Sequence, residues 1–500
     1  MREFTCKPIE KMDIDKIELE LNSRDDIPQL IKGLQYIFVT PPLRQEIFTI
    51  LNGLFPPELD LDNGRPGMDR WSILVMGVLR LSLNCDYDRL HNLVNNHLTI
   101  RQILGHGQVD DRKSYTLQNL KDNVVLFTPE TLDQVNQAVV KAGHELIKKK
   151  KQEDGQSLPV EKAPEDKLKG RCDSFVVETN VEYPTDTRLL FDAVRKVIEL
   201  LMPVCKMVGL FDWKEGQEQI RELKKLWRQL QRLKPSSAKD EARKEVRRQA
   251  IVEAHQKYLR VARELVQRAE KTWQELRQKH SGNKNKLLKI EEFINHAQRQ
   301  INHIERRVIQ GETIPHQEKV FSLFEPHTEW LSKGKAGVPV ELGLATCVVE
   351  DQYQFILHHR LMQHEIDMDI AVVMVQETQA RFPELSSCSF DQGFHSTANQ
   401  RDLAKLLDTV ILPKKGRLSK AQQVRQQADE FVAGRRQHAA IESAIHALEV
   451  HGLDRCPDRG LPALRRYVAL AVVARNIQLL GRYLQHQEQE IEIESYRKAA

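Results

Sequence analysis

Three acids separated by long stretches of chain, Asp173, Asp391 and Glu442, are the residues here best suited to act together. Asp391 lies in Ser387-Cys-Ser-Phe-Asp391-Gln-Gly393, which reads as a short strand breaking into a turn at Gly393. An acid placed where a strand frays is held rigidly and still faces solvent. Further on, Arg435-Arg436-Gln-His438-Ala-Ala-Ile441-Glu442 leads into an apolar helical stripe of Ile441, Ile445 and Leu448. Glu442 sits on the shoulder of that stripe, so its carboxylate could be buried at one end and still reach outward. Asp173 starts the β-rich run Asp173-Ser-Phe-Val-Val-Glu-Thr-Asn-Val181. Carboxylates brought close repel, so such a set asks for a cation between them. Oxygen-only donors suit Mg²⁺ or Mn²⁺ better than zinc. Two such ions, ~3.5–4 Å apart, activate a water or 3′-hydroxyl and stabilise the leaving oxygen in phosphoryl transfer. Asp391 would bridge both ions, with Asp173 and Glu442 holding one each. Taken singly, any of these acids also reads as a surface-turn or ordinary helix residue.

Competing chemistries lack their motifs. There is no Gly-x-x-x-x-Gly-Lys-Ser/Thr, His-Glu-x-x-His or Gly-x-Ser-x-Gly. His358, His359 and His364 fit no standard metal spacing and read as strand-end surface residues. Paired carboxylates also serve glycoside hydrolysis, but no aromatic cluster near these acids offers a sugar platform. The balance of 75 Lys/Arg against 71 Asp/Glu excludes a global polycation, so anionic partners must be met by local clusters. Lys333 and Lys335 flank Gly334, Lys414-Lys415-Gly416-Arg417 follows the Asp391 strand, and Arg435, Arg436 and His438 precede Glu442. These are the candidate phosphate contacts, against the plainer reading of solvated loops. Trp213, Trp227, Trp273 and Trp330 could stack on a base, although Trp227 and Trp273 stand at helical spacing and read as core. The 7 cysteines form no Cys-x-x-Cys pair, which argues for a reducing compartment. The N-terminus lacks the apolar core of a signal peptide, and the run Tyr467–Val473 is too short to span a bilayer. The chain reads as cytoplasmic.

The elements that must position the acids can be read from periodicity. Residues 1–150 read as an N-terminal helical module. Pro41-Pro42 opens one helix, Met68–Leu83 forms an apolar one, Asp86 or Asp88 caps the next, and Thr99 caps a short one stopped by Gly105. Short helices on tight turns suit a helix-turn-helix or a plain bundle. Lys148–Gly170 reads as a linker, with the boundary drawn at 151–170. Residues 171–188 carry the first strand, and Asp186 caps the helix after it. From 189 to 316 the chain is a helical, coiled-coil-like insertion in which Ile220, Leu223, Leu226, Trp227, Leu230 and Leu233 share a face. Its stretch Lys214–Arg248 holds 12 Lys/Arg against 6 Asp/Glu, a DNA or subunit surface or a solvated face. Strands return at Lys319–Phe324, Val338–Val349 and Tyr353–His358, with a helix at Ile370–Arg381 and the Asp391 strand after them. Residues 317–485 thus complete an α/β core, with 486–500 a tail.

Several stretches, taken in combination and order, resemble bacterial insertion-sequence transposases. They are Val176-Val-Glu-Thr-Asn-Val-Glu-Tyr-Pro-Thr-Asp186, Ser322-Leu-Phe-Glu-Pro-His-Thr, Lys333-Gly-Lys-Ala-Gly, Val340-Glu-Leu-Gly, Phe390-Asp-Gln-Gly-Phe-His-Ser and the tail Gly452-Leu-Asp-Arg-Cys-Pro-Asp-Arg-Gly460 through Asn476. The resemblance is to the DDE group and covers most of the chain, least over the helical insertion. It implies an RNase H-like mixed sheet flanked by helices, with Asp173, Asp391 and Glu442 as the metal-binding catalytic triad. It further implies two Mg²⁺ or Mn²⁺ ions, cleavage at inverted-repeat transposon ends, strand transfer into target DNA, and a homodimer or larger assembly on double-stranded DNA. It also implies a bacterial, nucleoid-associated enzyme with no membrane partner. The sequence departs from the family where relatives often carry Arg four residues before the Glu and a basic residue seven after; here stand His438 and Glu449. Glu182 likewise replaces a common His. The alternative is therefore a catalytically impaired, transposase-derived DNA-binding or regulatory protein.

Overall fold

The computed structural model describes residues 13–20, 22–23, 25–55, 67–107, 113–153, 167–210, 212–234, 240–278, 284–332 and 339–499. Contacts divide the chain into two units, Met1–Asn180 with Leu331–Ala500, and Val181–Trp330.

The first unit is built on a mixed seven-stranded sheet. Its strands are β1 (Leu168–Thr179), β2 (Glu329–Ser332), β3 (Val340–Glu350), β4 (Ile356–Leu361), β5 (Leu385–Phe390), β6 (Thr409–Ile411) and β7 (Arg455–Cys456). β3 lies antiparallel beside β1, and β4 antiparallel beside β3. On the other side of β1, β5 runs parallel to it and β6 parallel to β5. Beyond the end of β5, β7 joins the same edge of β1 at Glu178 and Thr179. β2 adjoins β3.

Alternation along β1 sends side chains into two cores, as a sheet buried on both faces requires. Phe175 and Val177 join Leu344, Val348 and Ile356 under the N-terminal helices and the helix Leu461–Ala499. Cys172 joins Cys347, Val349 and Phe390 against the helices Asp367–Arg381 and Thr397–Leu406. The N-terminal helices therefore share a core with the sheet, and the division at residue 150 drawn from composition is not a division of contacts. Helix Asp26–Val39 lies hard against Leu461–Ala499 because glycines remove the spacers. A Cβ on Gly33 would stand 2.2 Å from the Ile477 carbonyl oxygen, and one on Gly481 1.8 Å from that of Gln29. The apolar Arg70–Ser82 helix is buried along its length. Its Arg80 meets Asp458 through two hydrogen bonds of 3.0 and 2.6 Å and stacks over Tyr87.

Several sequence boundaries move. The lysine run belongs to the helix Pro129–Glu153 and residues 168–170 to β1, so only 154–166 of the linker lie outside the described residues. Asp173 is mid-strand rather than at a strand start, and β1 ends before Val181. The short helix Leu98–Ile103 is capped by His97 instead of Thr99, its ring nitrogen accepting from Ile100. Thr185, not Asp186, caps Asp186–Met207 through its hydroxyl. Lys319–Phe324 forms no strand; β2 comes after it instead. His358 and His359 lie within β4 and not at a surface strand end: His358 is buried against Glu377 at 2.9 Å, and His359 is half-buried with its Nδ1 out of solvent. The tail 486–499 continues the last helix.

The second unit is helical, with its own core from Asp186–Met207, Gly216–Arg232, Glu241–Gln278 and Lys284–Ile304. The predicted face of Ile220, Leu223, Leu226, Trp227 and Leu230 is buried there. Trp227 stacks on Phe191, and Trp213 and Trp273 donate to Thr272 Oγ1 and the Leu287 carbonyl. Trp330 packs edge-on to Tyr183. Within the basic stretch, Arg243, Lys244 and Arg248 pair with acids three residues away, which cancels part of its charge. No helix among the described residues is long and apolar enough to cross a membrane.

Candidate active site

The β1–β5 register decides what stands beside what. Lys169 pairs with Ser387, Arg171 with Ser389 and Cys172 with Phe390. One step further along the two strands sets Asp173 beside Asp391, at the point where β5 ends and a 3₁₀ turn Gln392–Phe394 begins. Asp173 is half-buried and Asp391 exposed. Adjacent strands lie ~4.8 Å apart, which brings these two backbones close with no intervening element.

Glu442 comes from the helix Ile441–Leu448, seated on the sheet by Ile441, Ala444 and Leu448. Those residues leave Glu442 on the solvent side, so the half-buried carboxylate expected from the stripe is exposed instead. The preceding helix Asp429–His438 is anchored by Phe431 and approaches β6 so closely that a Cβ on Gly434 would meet Ile411 at 2.7 Å. Its end is tied to both central strands. His438 Nδ1 lies 3.0 Å from Ser389 Oγ on β5, and Arg171 of β1 donates to the Gln437 carbonyl at 3.4 Å. Arg171 also faces Glu350 at 3.0 Å, where burial outweighs its attraction and pushes that carboxyl up to about 7.

Electrostatics bind the acids into one neighbourhood. Burial pushes the Asp173 carboxyl up to about 6; the Ser174 N–H opposes this, and the charges of Asp391, Asp367 and Glu442 add to it. Burial likewise lowers His438, which Asp391 and Glu442 draw back upward. The carboxylates thus sense one another, yet among the described residues no three His, Cys, Asp or Glu close on a common point as a ligand set. The donors present are hard oxygens, and a divalent ion among them would offset the charge that raises Asp173.

Asp367 is the acid that sequence reasoning missed. It lies in the first turn of Asp367–Arg381, accepts a 2.6 Å hydrogen bond from Ser174 Oγ, and is raised by burial and by Asp391. Gly393 makes room for it: a Cβ there would lie 3.0 Å from Asp367 Oδ2. Apolar periodicity starts that helix only at Ile370, which leaves Asp367 in the loop before it. Ile366-Asp-Met-Asp369 carries only the ordinary signal of acids at a helix start.

The basic candidates divide. Lys414 is half-buried, holds Gln422 Oε1 at 3.2 Å, and helps depress the His395 imidazole, after burial and alongside Arg425; the Lys414 loop therefore flanks the Asp391 turn. Lys415 and Arg417 are exposed around Gly416, whose φ is +86°. Arg435 and Arg436 are exposed on the helix before Glu442. Lys333 and Lys335 lie outside the described residues.

Comparison with protein-family models, curated proteins and solved structures finds no match to this chain.

Proposed function

We propose that this protein is a DDE-type DNA transposase, cutting transposon ends and joining them to target DNA in a reaction that needs Mg²⁺ or Mn²⁺. The observation that carries the reading is that Asp173 and Asp391 each directly follow the last register pair of the parallel β1–β5 ladder, Cys172 with Phe390, and that Asp391, Glu442 and Asp367 all act on the Asp173 carboxyl. A sheet ordered β4-β3-β1-β5-β6, with its acids on the central strand and its parallel neighbour, supports an RNase H-like core. Asp173 and Asp391 would hold the ions, with Glu442 as the third ligand. Bound there, divalent ions would activate the attacking water or 3′-hydroxyl and neutralise the leaving oxygen. Lys414, Lys415 and Arg417, from the loop after β6, and Arg435 and Arg436, from the helix before Glu442, would suit the phosphates of double-stranded DNA. The N-terminal helices are the proposed end-binding module, and a dimer or larger assembly would hold two ends.

Asp391→Ala should abolish Mg²⁺-dependent end cleavage while leaving end binding intact. Cleavage retained by that variant would remove the site assignment. A second reading, a transposase-derived DNA-binding protein without cleavage, rests on His438, which occupies the family's arginine position and is committed to Ser389. End binding by the unaltered protein with no metal-dependent nicking would favour it.

A further inference from the structure

The face of the β1–β5 pair that carries Asp173 and Asp391 continues, in the other direction, into a cavity of about 580 Å³. Lys169, Arg171, Ser387, Ser389 and Gln352 line it, and Gln437 closes one side. Its polar groups form a ladder: Lys169 pairs with Ser387 and Arg171 with Ser389, and the two acids follow one position past the last pair, Cys172 with Phe390. Successive rungs are two residues apart, roughly 6.7 Å along the strands. Sign changes along the ladder, from cationic and hydroxyl rungs to carboxylate.

The groups are not equivalent. Arg171 is committed to Glu350, to the Asp351 carbonyl and to that of Gln437, so it contributes positive potential and little donor capacity. Lys167, at the mouth, pairs with Asp408 at 3.2 Å. Lys169 is exposed, and it is its backbone N–H that Gln352 accepts from, not its ammonium. Ser389 joins the two regions: it lines the cavity, its hydroxyl donates to the Gly170 carbonyl at 3.4 Å, and the same oxygen meets His438, which lies in the field of Asp391 and Glu442. Across the ladder, Glu430 of the helix Asp429–His438 is held by the Thr409 hydroxyl.

We propose that this cavity is a phosphate subsite for the nucleic-acid strand engaged at the acids, with Lys169 as its cation and the Ser387 hydroxyl as its donor. An anion confined to the cavity would satisfy Lys169 alone. An occupant reaching from Lys169 to Asp173 spans four residues of strand, roughly 13 Å, and must present a second phosphate at the far end. A polynucleotide backbone does so by repetition. This inference rests on the proposed nucleic-acid chemistry of the acid site and adds where the flanking strand is gripped.

The test uses the full chain, a short single-stranded oligonucleotide of mixed sequence and EDTA, so that binding is read without cleavage. Lys169→Gln should weaken binding several-fold and lower the slope of log affinity against log salt by about 0.7, the single-strand value for one phosphate contact, and Lys169→Arg should restore both. Oligonucleotide affinity and salt slope unchanged in Lys169→Gln would overturn the proposal. So would Lys169-dependent binding of inorganic phosphate with no effect on the oligonucleotide, which would mark a site for a small anion. Metal-dependent cleavage by the unaltered protein together with unchanged binding by Lys169→Gln would sink the subsite alone. Lys169-dependent binding by a protein that never cuts would sink the cleavage reading alone.

Discussion

At the scale of the residue, Asp173 is the informative group, because its carboxyl is displaced by its surroundings. Burial and three neighbouring acids hold it at about 6, above the ordinary value of 3.8. The unfolded chain therefore releases this proton first as pH rises. Between about 4 and 6 the unfolded state binds fewer protons than the folded one, so the metal-free fold loses stability across that window. Asp367→Asn removes one of the repelling charges. A ¹³C carboxyl titration should then show the Asp173 midpoint shifted down from about 6, and an unchanged midpoint would mean that Asp367 is not electrostatically part of the site. The strand-end position of Asp391 and the helix position of Glu442 are legible in the sequence, while the mid-strand place of Asp173 is not, because β1 begins at Leu168, before the β-rich run becomes apparent. Nor are Asp367 and Ser174 legible, since their meeting joins the first turn of a helix to the middle of a distant strand and leaves no local pattern.

At the scale of the element, the β1–β5 register and the seating of two short helices do the positioning. Hydrophobic alternation gives β1, β3 and β5 to within a few residues, and apolar periodicity gives the long helices. β6 and β7 escape it because they have 3 and 2 residues, too few to show a period. Strand character at Lys319–Phe324 is misleading: β-prone residues there pack as an irregular turn, with Leu323 in the helical core. The stretch Gly452–Gly460 has a structural reason that the sequence alone conceals. Gly452 takes φ +93°, and a Cβ there would meet the Tyr467 hydroxyl at 2.5 Å. Asp458 supplies the buried partner of Arg80. Asp458→Ala leaves that guanidinium buried and unpaired, and should destabilise the first unit by about 3–5 kcal/mol in urea unfolding. A loss under about 1 kcal/mol would show that water or Tyr87 replaces the carboxylate.

At the scale of the whole molecule, the chain has separate hydrophobic cores. The helical core draws only on residues between Leu189 and Leu323, and the cores of the sheet-containing unit draw on none of them. Replacing 181–328 by a flexible linker, which keeps β2 whole, should therefore leave the sheet unit cooperatively folded, with its unfolding midpoint in denaturant close to that of the same transition in the full chain. Loss of the cooperative transition would show that the helical unit is needed to hold the sheet together. The helical block is legible from the helical period that recurs through its successive long segments. The shared core of the N-terminal helices and the sheet is not, because contacts such as Gly33 with Ile477 join opposite ends of the chain. The proposed function depends on the acids of the sheet unit gathering divalent ions. The most direct measurement is the anomalous scattering of Mn²⁺ in crystals of the full chain. The account predicts manganese bound by carboxylate oxygens of both Asp173 and Asp391, and its loss in Asp391→Ala. Manganese bound elsewhere, or bound unchanged in that variant, would contradict it.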